Sequence, residues 1–253
     1  MKGKVYLVGA GPGDPELLTV KALRVLREAE IVLHDALVSP EVLALVPPTA
    51  IVLHVGKRCG QASVPQQEIN GLLTSYANCG RIVVRLKSGD PLIFGRAGEE
   101  MEGLRSFGIP FEVVPGITAA LGAAAAAQVP LTDRRLASRL VIATNHYALN
   151  EIASDCEFPL SPRTTFALYM PGTDYRQVAE QMHRSGLSDE TPCLIVSRAS
   201  TSQQQLCMTS LRELVQIPAL PAPAVMVFGN VAGIVRSPLV AVDNGSQRSA
   251  IGK

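Results

Sequence analysis

A chain of 253 residues that is 47% hydrophobic and 18% charged has enough apolar content for one large domain or two smaller ones. Its net charge is only +1, from 23 basic and 22 acidic residues, which excludes the global electrostatic footprint of a nucleic-acid or membrane-surface binder. Any anionic ligand must therefore meet a local basic cluster. The five cysteines (Cys59, Cys79, Cys156, Cys193, Cys207) are scattered, with no CxxC pair and no Cys/His metal spacing. Reduced structural thiols of a cytoplasmic protein are expected, and no metal centre. No apolar run reaches membrane-spanning length, and the first one gives way at Gly9 to GPGDPE, so no signal peptide is expected.

In chain order, residues 4–8 read as a strand and 9–14 as a glycine-rich turn. Asp14-Pro15, or Thr19 a little later, starts a helix that runs to about residue 30. A strand at 31–34 is followed by a short helix opened by Ser39-Pro40-Glu41, then by a strand at 51–55. Residues 57–65 read as a loop, 66–77 as a helix and 81–86 as a strand. That strand feeds the stretch on which the chain is organised, residues 83–100, VVRLKSGDPLIFGRAGEE. Here a β-branched run breaks into a turn rich in Gly, Ser, Asp and Pro, whose backbone N–H and C=O groups are open to a ligand. Ile93, Phe94 and Arg96 follow, then a helix at 99–107 and a strand at 111–114.

Regular strand–helix alternation implies a mostly parallel sheet. Near Pro115-Gly116 the texture changes, and 117–127 reads as a helix of small residues. A second alternation has strands at 140–143, 165–169, 193–197 and 224–228, with helices at 175–184 and 210–215. The expected fold is α/β, with two α/β domains of mostly parallel sheets, residues 1–114 and 115–236. Residues 237–253 are polar and aperiodic and are expected to be a disordered tail. There is no internal repeat.

The motifs fall on strand ends. VGAGPGD at 8–14 suggests a dinucleotide turn, but its glycines are spaced Gly9-x-Gly11-x-Gly13 rather than GxGxxG, and Pro12 lacks the N–H a pyrophosphate would use. A tight strand-to-helix turn is the better reading. Asp35, in HDALVS at 34–39, suits a general base or a cap. Lys57 and Arg58 follow the next strand end, and Arg134 and Arg135 follow the small-residue helix. His146 and Met170 sit beyond later strands, where a structural histidine and a core methionine are the ordinary readings. Asp35, Lys57, Arg85, Lys87 and Arg96 all lie near the ends of successive strands. In a parallel sheet such positions share one edge, so together they suggest a site for a polyanion.

GAGPGDPELLTVKAL, HDALVS, GKRCGQASVPQQEIN, RLKSGDPLIFGRAGEE and VPGITAALG, in this order, resemble the tetrapyrrole methylases, the precorrin-type class of S-adenosylmethionine-dependent methyltransferases. The resemblance runs from about Gly3 to Arg236. It implies two α/β domains with the active site in the cleft between them, a homodimer, and C-methylation of a tetrapyrrole. Among members it favours methylation of two pyrrole carbons of uroporphyrinogen III to precorrin-2, for sirohaem or cobalamin. A methylase of a later corrin precursor and a non-catalytic tetrapyrrole-binding relative are the alternatives. A fused dehydrogenase–ferrochelatase portion is not expected.

The resemblance further implies that Pro12, Ser88, Gly89, Asp90, Ile93, Thr118, Ala119, Met170 and Ala199 contact S-adenosylmethionine, with S-adenosylhomocysteine as product. It puts Asp35 and Lys57 at the proton acceptor and donor, and Arg96, Glu99 and Arg134 at the tetrapyrrole. The chain departs from the family pattern at Ser88, Leu92, Asp133, Asn145 and Ala199. Asp133 bears most on chemistry, because it sets a carboxylate beside an arginine expected to hold carboxylates.

Overall fold

The computed structural model describes residues 2–56, 64–145 and 161–234. Lys57, His146 and the 237–253 tail lie outside them. The first half alternates β1 (Lys4–Gly9), α1 (Val20–Arg27), β2 (Ile31–His34), α2 (Pro40–Leu43), β3 (Ile51–His54), α3 (Gln66–Asn78), β4 (Ile82–Lys87), α4 (Ala97–Ser106) and β5 (Phe111–Val114). Every strand pair in its sheet is parallel, in the order β3-β2-β4-β1-β5. Alternate residues of β1 serve opposite faces: Val5 and Leu7 join one core, Tyr6 and Val8 the other.

Local sequence sets the helix starts. Asp14 accepts from the Glu16 amide at a short 3-10 turn, Thr19 from Ala22 at α1, and Ser39 from Val42 at α2. Both starts expected near residues 14–19 are therefore used, the first for the turn and the second for the helix.

The second half holds α5 (Ala119–Ala127), β6 (Arg139–Thr144), β7 (Thr164–Tyr169), α6 (Tyr175–Arg184), β8 (Pro192–Ser197), β9 (Gln205–Ser210) and β10 (Ala224–Phe228). Two α/β units are present, as the sequence implies, but the second sheet differs from the expectation. Its order is β6-β7-β10-β8-β9, and only β6–β7 is parallel. Residues 198–204 are too few for a crossover between parallel strands, which takes a dozen or more, so β8 turns back on itself through β9. β9, QLCMTS, mixes polar and apolar residues and carries no clean period, which is why the sequence did not reveal it. The helix expected at 210–215 is instead a turn leading to a 3-10 segment, Leu214–Gln216.

The core of this half is split by its sheet: Ala167 and Tyr169 of β7 face one cluster, Phe166 and Leu168 the other. The alanine-rich α5 lies in the first cluster, where Ala120, Ala123, Ala124 and Ala127 permit close approach. Among the described residues no helix is long and apolar enough to cross a membrane.

One ion cluster ties the start of the parallel sheet together. Glu112 of β5 pairs with Lys4 of β1 at 2.7 Å and with Lys21 of α1. Hydrogen bonds from Lys21 and Lys4 lower the Glu112 carboxyl from 4.5 to about 2. Its stabilisation is therefore complete above about pH 4.5 and is lost as pH falls towards 2. Thermal melts should show Glu112→Gln less stable than the parent at neutral pH, with the gap closing across this window; a gap independent of pH would contradict the assignment.

Candidate active site

The first four strands of the parallel sheet reach one edge with loops made for close contact. The glycine turn after β1 pairs with the turn after β4: the Gly11 N–H donates to Gly89 O (3.2 Å) and the Gly89 N–H to Gly11 O (2.8 Å). A Cβ on Gly9 would lie 2.5 Å from Gly116 N and 2.7 Å from Gly89 O, so only glycine allows these backbones to meet. Asp90 fastens the same point, with Oδ1 accepting from Leu92 N (2.8 Å) and Oδ2 from Gly116 N (3.0 Å). The glycine turn then reaches the second half. Pro12 sits where a Cβ on Gly122 of α5 would be 2.8 Å away, and Gly13 backs on Thr201.

The 88–96 loop also crosses the seam. Ile93 and Ala119 pack against the alanine-lined core of the second half, as does Ala199 after β8. Half-buried Ser88 precedes Gly89, which has φ +67° and faces the start of α5, where Thr118 and Ala119 lie. Six non-glycine residues among those described have φ in the left-handed region, and five of them lie in the loops after β4, β7 and β8: Phe94, Arg96, Met170, Arg198 and Ser200. Such strain gathers where the surroundings enforce an unusual backbone, commonly at ligand sites.

Tyr169 is a site residue that the sequence did not single out. Its hydroxyl lies 2.7 Å from Thr118 Oγ1 and accepts from the Ala120 amide at 2.8 Å. It thereby caps α5, which Thr118 does not cap with its own side chain. Its ring meets Phe94 edge-on, centroids 5.2 Å apart. Burial raises the phenol's pKa, so it remains a neutral hydrogen-bonding group. A tyrosine closing a buried strand beside Met170 was the available signal.

The supposed polyanion cluster divides in two. Arg85 and Lys87 are 3% and 2% exposed and belong to the interior, not to a basic rim. Arg85 Nε and Lys87 Nζ each donate to Oε1 of fully buried Glu100 at 2.9 Å, and Arg85 Nη2 pairs with Asp35 Oδ1. Burial opposes the charge on Arg85, but the Asp35 and Glu100 carboxylates outweigh it and raise its pKa. Burial, reinforced by Arg85, lowers that of Lys87. Asp35 keeps 28% of its side chain exposed. Gly56, the last described residue before Lys57, is packed against Asp35 and Ala36, and a Cβ there would fall 2.9 Å from the Ala36 Cβ.

Of the predicted site residues, Arg96, Glu99 and Arg134 are exposed charges. Arg96 and Glu99 form a bidentate pair, both contacts 2.7 Å, which lowers the Glu99 pKa. Arg134 is exposed, and its carbonyl accepts from Arg163 at 3.0 Å. Asp133 does not confront it. Its carboxylate is taken by Arg135 through Nε (3.1 Å) and Nη2 (3.0 Å), which holds its pKa at about 2.

A seam between two α/β units, lined by strand-end loops with open backbone, defines a ligand-binding enzyme scaffold. Residues 4–215 match the Tetrapyrrole (Corrin/Porphyrin) Methylases, and the chain belongs to that family. It is 46% identical to a uroporphyrinogen-III C-methyltransferase of Paracoccus denitrificans (strain Pd 1222), covering 92% of this chain and 82% of that protein. It is also 46% identical to a siroheme synthase 2 of Aeromonas hydrophila, covering 92% of this chain but only half of that longer relative. Among solved structures it resembles the uroporphyrin-III C-methyl transferase of Thermus thermophilus complexed with S-adenyl homocysteine. That match has 38% identity and TM-score 0.78, covering 92% of this chain and all of that one.

Tyr169→Phe tests the cap on α5 beside the seam. It leaves the ring packing and strands the Ala120 amide, so urea unfolding should show a loss of roughly 1–3 kcal/mol. An unchanged midpoint would mean that the hydroxyl does not cap α5.

Proposed function

We propose that this chain uses S-adenosylmethionine to methylate two pyrrole carbons of uroporphyrinogen III in turn, giving precorrin-2 for sirohaem or cobalamin. The observation that carries the reading is the seam at Gly89, where two α/β units meet through backbone, in a chain 46% identical to a protein of that name over 92% of its length. Residues 1–114 and 115–236 form the two contributing domains in this reading. It also has the protein working as a cytoplasmic homodimer.

The residues suit the methyl donor. Gly89, with its φ of +67°, would meet the start of α5 at ordinary van der Waals distance even with a Cβ, the nearest atom being Ala119 N at 3.7 Å. This wall presents polar backbone, while Ile93, Ala119, Met170 and Ala199 supply apolar surface. Ser88, Gly89 and Asp90 would engage the ligand mainly through backbone, so Ser88 need only fit sterically where the family has glycine. Pro12 and Thr118 complete the enclosure. Bound S-adenosylmethionine supplies an already activated methyl group.

The chain's own task is alignment and proton handling. Transfer to a pyrrole carbon leaves the ring positively charged, and in this reading Asp35 accepts the proton whose loss relieves it. Lys57 is the corresponding donor. Arg96, oriented by Glu99, and Arg134 hold the ring's carboxylates. The Asp133 departure does not oppose this, because its charge is already matched by Arg135.

The test is incubation with uroporphyrinogen III and methyl-labelled S-adenosylmethionine, with precorrin-2 in parallel. Two labelled methyl groups per uroporphyrinogen III are expected. Transfer to precorrin-2 alone, or binding of both ligands without transfer, would replace this reading with the corresponding alternative. Arg96→Ala and Arg134→Ala should each raise the tetrapyrrole KM roughly tenfold or more, through loss of a charge-assisted hydrogen bond, and leave S-adenosylhomocysteine affinity nearly unchanged.

A further inference from the structure

The least expected feature of the parallel sheet is a charge cluster inside it. β4 places Arg85 and Lys87 two residues apart, hence on one face, in the central strand of five. Both are almost completely buried, and among the described residues the only carboxylate wholly inside with them is Glu100 of α4. Glu100 Oε1 accepts from Arg85 Nε, Lys87 Nζ and, at 3.3 Å, Gln66 Nε2. Its Oε2 has no hydrogen-bond partner among the described residues. Apolar residues of similar volume would usually serve stability as well or better than such a cluster. Its presence here therefore calls for a role beyond holding the sheet together.

The geometry points to Arg85 as a positioning residue for the Asp35 carboxylate, with Glu100 anchoring the guanidinium from behind. Among the described side chains of this ion-pair network, Asp35 is the one with appreciable exposure, at 28%. Arg85 reaches it from Nη2 while Nε remains on Glu100 and Nη1 lies 3.3 Å from Leu33 O. The planar guanidinium is thus fixed on three sides, and the Asp35 backbone is fixed as well, its N–H donating to Leu86 O at 3.1 Å. A carboxylate held this way at one oxygen keeps its orientation as substrate enters. α4 serves the site twice, presenting Glu99 outward to Arg96 and Glu100 inward to Arg85.

This inference rests on the proposed role of Asp35 as proton acceptor, and a double-mutant cycle separates the two. The full chain is assayed with uroporphyrinogen III and saturating S-adenosylmethionine as Asp35→Asn, as Arg85→Lys and as the combination. Melting temperature and S-adenosylhomocysteine affinity are followed alongside. Arg85→Lys keeps a buried cation for Glu100 but lacks the fork that spans to Asp35. It should cut kcat roughly tenfold or more with little change in cofactor affinity, and add almost nothing to the loss in Asp35→Asn, as for residues acting as one unit. If Asp35→Asn alone leaves kcat intact, the acceptor assignment fails and the inference goes with it. If Asp35→Asn is slow but Arg85→Lys is either fully active or slows both backgrounds equally, Arg85 is merely structural. Should Arg85→Lys not fold, Glu100→Gln carries the same comparison: it loosens the anchor, keeps the shape, and should slow the parent but not Asp35→Asn.

Discussion

The site depends on a contact that involves no side chains. Gly9 at the end of β1, Gly89 after β4 and Gly116 after β5 meet backbone to backbone, and a Cβ on Gly116 would lie 2.8 Å from Gly9 Cα. Three strand ends are thereby drawn together at one edge of the parallel sheet. Asp90 secures the arrangement by holding Gly116 N, which aims the chain from β5 directly into α5. The small residues of α5 let the glycine turn, through Pro12, lie against the second half. The seam is therefore a consequence of how closely the loops approach, and side chains such as Tyr169 and Ile93 close it afterwards.

Charge is distributed on the same principle. A chain with net charge +1 meets a polycarboxylate, in the proposed reaction, with only a few exposed arginines. Other charges are matched within the chain: Arg85 and Lys87 against Glu100 and Asp35 inside the parallel sheet, and Asp133 against Arg135 after α5. Internal matching of this kind fixes orientation more than it adds net stability.

Much of this was legible in the sequence, because strand–helix alternation, glycine turns and N-caps are local signals. The parallel sheet, the caps at Asp14, Thr19 and Ser39, and the strand–loop–helix unit at 83–100 all follow from neighbouring residues. What escaped depends on distant partners. The antiparallel character of the second sheet is set by β10 pairing between β7 and β8, and β9 has no clean period to announce its hairpin with β8. Arg85 and Lys87 read as surface charge because nothing nearby in sequence announces Glu100, which arrives on the following helix. Likewise Tyr169 gains meaning only when α5 brings Thr118 and Ala120 to its hydroxyl.

The central claim is that one small ligand is held at this seam by both halves of the chain. Hydrogen exchange of the full chain, with and without saturating S-adenosylhomocysteine, tests it most directly. The account predicts added protection in the segments containing Gly89–Ile93 and Thr118–Leu121 together, with a smaller effect around Gly11–Gly13. Protection confined to one half, or binding with none in these segments, would contradict it.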